Sequence, residues 1–161
     1  MSAVTDTLTY ADRWSERWPN EFEELDADEA RRRHGTGELY TVILGDAESP
    51  DAYLEVRLEA GFVGVYFLDD ERRNYLTYLF GKHDGENQLF LEQAIWRTFD
   101  GSGNVRSGQA YHFKRDGTVF LREKDYEKRE ATRGEKQDDV SGNWEPVPEF
   151  GRYESIARRE R

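Results

Sequence analysis

Residues 52–60 alternate strictly: Leu54, Val56 and Leu58 fall on one side, Glu55, Arg57 and Glu59 on the other. A period of two is the mark of a strand with one buried and one wet face, and it excludes an amphipathic helix. The same pattern recurs down the chain, broken each time by turn residues. Residues 39–44 form a β-branched and apolar run that the cluster Glu48-Ser49-Pro50-Asp51 should end. Gly61 permits a turn into residues 62–68, apolar on both faces except at Gly64, which predicts a central strand. A polar connection at 69–74 leads to residues 75–80, again apolar on both faces, and 81–87 is the next turn.

Residues 88–99 read as one bent strand, with Leu89, Leu91, Ile95 and Phe99 on one face and Phe90, Ala94 and Trp96 on the other. A short helix at 92–98 is the alternative. Two turn signals follow, at 100–104 and at Asp116-Gly117, the second between paired strands at 109–114 and 118–122.

The first 38 residues follow another rule. Tyr10, Trp14 and Trp18 are spaced i, i+4, i+8, with Thr9 and Asp12 at capping-box spacing and Pro19 as a stop, which predicts a short helix. A second helix is expected from Asn20, with acids in its first turn, Arg31-Arg32-Arg33 in its last and a break near Asp26. Its apolar stripe (Phe22, Leu25, Ala30) is thin, so it should lie on the surface.

The expected fold is α+β, mainly β: an antiparallel meander sheet, curled or barrel-like, of about six to eight strands with one or two short N-terminal helices. One domain of 161 residues accommodates it. Residues 1–38 supply the helical segment, 39–126 the sheet, 127–143 a charged loop or edge hairpin, and 144–161 an aromatic tail that docks on the core. Arg158 to Arg161 should fray. Twenty-two aromatics supply large buried areas in a chain only 36% hydrophobic.

The net charge is −11, with 22 acids against 10 bases in residues 1–100 and 12 against 13 in 101–161. Such a field repels phosphate backbones and anionic lipid and speeds encounter with a basic partner, so neither nucleic acid nor membrane is expected as a ligand. The N-terminus lacks a basic leader and no run approaches the ~20 apolar residues that span a bilayer, which predicts a cytoplasmic protein.

The absence of cysteine excludes disulfides, thiolate metal sites and cysteine nucleophiles. His34, His83 and His112 are not at metal-ligand spacing, and no nucleophile elbow, phosphate loop or dinucleotide fingerprint occurs. The Gly101-Ser102-Gly103 loop joins two strands instead of opening a helix. Asp69, Asp70 and Glu71 sit together in a turn, where acids ordinarily serve solvation; catalytic carboxylates need burial or a partner to separate their pKa values. No catalytic residue, metal ligand or cofactor is therefore assigned, and the chain reads as a binder rather than an enzyme.

Residues 52–80 (AYLEVRLEAGFVGVYFLDDERRNYLTYLF) resemble the hairpin core of immunity proteins from bacterial polymorphic toxin systems, in which a strand ends in a short acidic turn and the next carries alternating aromatics. The resemblance implies an inhibitor that blocks a cognate toxin domain, often a nuclease or deaminase. Two readings of the residues follow. In the first, Asp69, Asp70, Glu71, Glu55 and Glu59 present an acidic surface, with Tyr66 and Tyr75 as anchors, to a basic protein. In the second, the sheet closes into a lipocalin-like barrel whose pocket holds a small ligand among Tyr78, Trp96, Tyr111 and His112, a reading that leaves enzymatic activity open.

Overall fold

The computed structural model describes residues 7–15, 17, 18, 21–83, 85 and 87–161. Two short strands, β1 (Leu8–Ala11) and β2 (Glu24–Leu25), precede the one α-helix among the described residues, α1 (Ala27–Thr36). Eight strands then follow as a meander: β3 (Tyr40–Asp46), β4 (Ser49–Arg57), β5 (Phe62–Leu68), β6 (Asn74–Gly81), β7 (Gln88–Phe99), β8 (Val105–Phe113), β9 (Thr118–Asp125) and β10 (Glu130–Gln137). A last strand, β11 (Trp144–Pro146), pairs with the start of β7.

All pairings are antiparallel, and the order across the sheet is β10-β9-β8-β7-β6-β5-β4-β3-β1-β2. The sheet is open, with β2 and β10 at its ends. The eleven strands exceed the expected number because β1, β2 and β11 are too short to carry a period and β10, exposed along its whole length, has no buried face to alternate with.

Register makes the core continuous. Val42, Leu54, Val65, Tyr78, Ala94 and Tyr111 are successive partners across six strands, so they share one face, called inner below. Tyr153, Ile156 and Ala157 cover that face with Ala30 of α1, all at most 4% exposed. Ile43 and Tyr53 lie on the outer face, where Trp14 packs on the Tyr53 ring at 4.8 Å. Burial of this many branched and aromatic side chains, at roughly 1.5–3 kcal/mol each, is what opposes the loss of chain entropy.

The N-terminus departs from expectation. Residues 8–11 are extended, pairing Leu8 to Ala11 with Leu44 to Thr41, because hydrogen bonding to β3 outweighs a helical spacing with no packed stripe: Trp14 is buried but Trp18 is 54% exposed. Pro19 and Asn20, expected to end one helix and begin the next, lie outside the described residues. The second helix begins instead at its expected break, where the Asp26 carboxylate caps the Glu29 N–H at 2.8 Å, and it ends at Gly37 in the left-handed region (φ 82°). Phe22 and Leu25 precede it, so Ala30 is its one buried residue.

Two further differences concern strands. Ser49-Pro50-Asp51 belongs to β4 and not to the turn, which is Ala47-Glu48 alone; Pro50 is tolerated beside the register shift at Leu44 and Gly45. In β7, Leu79 pairs with Gln93 and Phe80 with Leu91, so Glu92 is an inserted bulge residue that resets the alternation. Leu89, Leu91 and Ala94 therefore share the inner core, while Ile95, partner of Thr77, turns outward.

Candidate functional site

Beyond Ala94 the inner face leaves the cover of the tail and becomes polar. Two rows of cross-strand partners run over β7 to β10: Trp96, Gln109, Glu123 and Thr132, then Thr98, Ser107, Asp125 and Glu130. They line an open groove of about 480 Å³, bordered also by Gly108 and Lys124. Its size falls within the range of ordinary ligand sites.

The geometry follows from the strands. Regular alternation in β9 turns Glu123 and Asp125 to this face, and the tight turn after Asp125, whose Oδ1 accepts the Glu127 and Lys128 N–H groups at 3.0 Å, returns the chain so that Glu130 stands opposite. Gln109 Nε2 donates to Glu123 Oε1 at 3.3 Å, and the Thr98 and Ser107 hydroxyls are 2.6 Å apart. None of the three carboxylates forms an ion pair among the described residues. Trp96, 40% exposed, forms the wall of the groove, with the Tyr75 ring 6.4 Å away. The arrangement offers an indole face beside three negative charges, hydroxyls and an amide, which is the chemistry of holding a cation or a chain of hydrogen-bond donors. No group of three or more potential metal ligands occurs among the described residues.

A second arrangement shows how the inner face holds a guanidinium. Arg161 lies 4.7 Å from the Phe80 ring centre and 5.3 Å from that of Tyr78, and its Nη1 donates to Glu145 Oε1 at 2.6 Å. The two side chains are 7% and 2% exposed. Ser155 Oγ and Arg158 Nη2 also donate to the Glu145 carboxylate, at 2.9 and 2.7 Å. Burial pushes the Glu145 carboxyl up, but these three hydrogen bonds outweigh it and hold it below the usual carboxylate range. Residues 158–161, expected to fray, are thus latched: Tyr78 Oη donates to the Arg159 carbonyl, and Arg159 Nη1 donates to Tyr75 Oη at 2.8 Å.

The residues singled out in the sequence fall in several places. Asp69 organises the β5–β6 turn, accepting the Glu71 and Arg73 N–H groups and Arg73 Nε, each at 2.9 Å. Burial opposes its ionisation, yet these contacts hold its carboxyl below the usual range. Asp70 and Glu71 are exposed, and Glu71 is 3.2 Å from Arg73 Nη1. Tyr66 lies flat on Tyr53 on the outer face (4.5 Å, 9°), and Glu55, two residues after Tyr53, shares that face. Tyr75 is on the inner face against the core. Glu59 is exposed on the 3₁₀ turn Leu58–Ala60, at the other end of β5 from Asp69. These seven residues do not converge on one surface.

Of the other four, Tyr78, Trp96 and Tyr111 share the inner face, Tyr78 beneath the tail and Tyr111 stacked on Phe113. His112, next to Tyr111 in β8, necessarily turns to the outer face. Glu123, Asp125, Glu130, Gln109 and Glu145 were not anticipated; the alternation of 118–125 was the available signal for the first two. No helix among the described residues is long and apolar enough to cross a membrane. Searches for similar proteins found no matching family model, no matching curated protein and no matching solved structure.

Proposed function

We propose that this protein is a binding module that holds a basic segment of a partner protein in the groove of β7 to β10. The observation that carries the reading is an exposed indole beside three carboxylates that have no basic partner among the described residues. An arginine stacked on Trp96 and ion-paired with Glu123 or Glu130 would repeat, on the same sheet face, the arrangement that holds Arg161. A stacked cation contributes about 0.5–2 kcal/mol and each exposed pair about 0.2–1 kcal/mol, so a segment with three bases gains about 1–4 kcal/mol over a neutral one. That preference suits recognition of a basic domain, and a toxin or nuclease domain, the partner implied by the resemblance of residues 52–80, is one such. The protein would then act as its inhibitor.

Fluorescence anisotropy with labelled twelve-residue peptides tests this. A peptide with alternating Arg and Ser should bind, a Gln/Ser peptide should not, and affinity should fall as NaCl rises from 50 to 300 mM. Trp96→Ala and Glu123→Gln/Glu130→Gln should each weaken binding without changing the far-UV circular dichroism. If neutral oligosaccharides bind the groove with an affinity indifferent to salt, the groove serves a neutral polar ligand and the proposal fails. It fails equally if both variants bind the basic peptide as the wild type does.

A further inference from the structure

The outer face of the same strands carries the opposite charge. Arg122 of β9 and Arg133 of β10 are direct register partners, and Lys124 follows two residues along β9. All three are exposed, and none forms an ion pair among the described residues. Like charges placed directly opposite on a sheet, with Cβ atoms about 4.5–5.5 Å apart, destabilise it. Glu135 is the one carboxylate that β9 and β10 turn to this face; it stands opposite Phe120. The near-neutral total of residues 101–161 therefore conceals a sorting along β9, whose Glu123 and Asp125 turn to one face and whose Arg122 and Lys124 turn to the other.

Aromatic rings accompany the bases. Phe120 is 38% exposed and is the register partner of the exposed His112, so the two residues are neighbours on adjacent strands, with the Lys114 ammonium 5.3 Å from the Phe120 ring. We propose that this face binds single-stranded nucleic acid, stacking bases on Phe120 and His112 and placing phosphates on Arg122, Arg133 and Lys124. Cations two residues apart on a strand stand about 6.7 Å apart, a repeat that the phosphates of an extended chain can follow. A protein surface is the poorer occupant. Strands β8, β9 and β10, of nine, eight and eight residues, cover only about 400 Å², well below the ~800 Å² per partner of a stable protein interface. The net charge of −11 does not oppose it at short range, since the screening length is about 8 Å at physiological salt and the acids of this ribbon face the other way.

Anisotropy with a fluorescein-labelled dT12 oligonucleotide at 50 mM NaCl tests the proposal on the intact chain. The expected Kd is about 1–100 μM, and log K should fall against log salt with a slope near −2, about −0.7 for each of three phosphates. Arg122→Gln/Arg133→Gln, which relieves the like-charge pair and so leaves the fold intact, should weaken binding at least tenfold and reduce the slope to about −0.7. Phe120→Ala should weaken it about tenfold, the lower part of the range for loss of one stacked base. Trp96→Ala, on the other face, should have no effect. Absence of binding by the wild type overturns the proposal. So does equal displacement by poly-glutamate of the same charge, or indifference to Phe120→Ala, because the face would then read carboxylate-rich protein and not bases.

Discussion

Glu145→Gln should destabilise this protein strongly. The carboxylate is 2% exposed and accepts from three donors, two of them guanidinium groups. Arg158 is half exposed and its share is small, whereas Arg161 is 7% exposed and would be left charged without a counter-ion. Removing one member of such a buried pair costs about 3–5 kcal/mol, and the amide keeps one acceptor oxygen, so about 3 kcal/mol is expected. With an unfolding entropy of ~2.1 cal/mol/K per residue over 161 residues, that lowers Tm by about 9 °C. Thermal and urea unfolding followed by circular dichroism reads both quantities.

The pair also sets a pH dependence. The folded carboxyl of Glu145 titrates below its unfolded value of about 4.3, so its contribution is complete at neutral pH and is lost as pH falls below about 4. The Tm gap between wild type and Glu145→Gln should therefore be full at pH 7 and shrink at pH 3. The double variant Glu145→Leu/Arg161→Met, which removes both charges, should be destabilised by at least 2 kcal/mol less than the sum of its single variants. A loss below about 1 kcal/mol for Glu145→Gln, or additivity in the double variant, would refute the view that the tail is held by this ion pair.

Three further outcomes test the fold. Gly61 has φ 62° and a Cβ there would stand 2.5 Å from the Lys82 carbonyl oxygen, so Gly61→Ala should cost at least about 2 kcal/mol in urea unfolding, combining left-handed strain with displacement of backbone. Asp26→Ala removes the α1 cap and should cost about 1 kcal/mol by the same measurement. Trp14→Ala strips the outer-face cover from Tyr53 and should cost about 3–5 kcal/mol with a loss of near-UV dichroism; a change below 1 kcal/mol would mean that residues 8–15 are not docked there.

The central strands were legible because each is self-contained. β5 and β7 match their expected spans, 62–68 and 88–99, since the apolar runs are bounded by turn residues; the alternative of a short helix at 92–98 is not adopted. The N-terminal error shows the limit of period counting. Tyr10, Trp14 and Trp18 have helical spacing, but the partner that decides the conformation, β3, is about thirty residues away, and no local rule reports it. The bulge at Glu92 is hidden in the same way. It is visible only as a slip between Leu79 and Phe80 of a neighbouring strand, yet it moves Ala94 and Trp96 to the face of Leu91 and so brings Trp96 to the groove.

Charge posed a harder problem than shape. Counted by stretch, residues 101–161 are nearly neutral, and a nearly neutral segment suggests no partner. Counted by parity within 118–125, Arg122 and Lys124 take even positions and Glu123 and Asp125 odd ones, so any extended conformation must sort them to opposite faces. What the sequence does not disclose is that β10 then stacks Arg133 on Arg122 and Glu130 on Asp125, reinforcing each sign instead of cancelling it. An Arg set directly opposite an Arg weakens the pairing of β9 with β10. Both proposals above rest on this sorting: Glu123, Asp125 and Glu130 would meet a basic segment on one face, and Arg122, Lys124 and Arg133 would meet phosphates on the other.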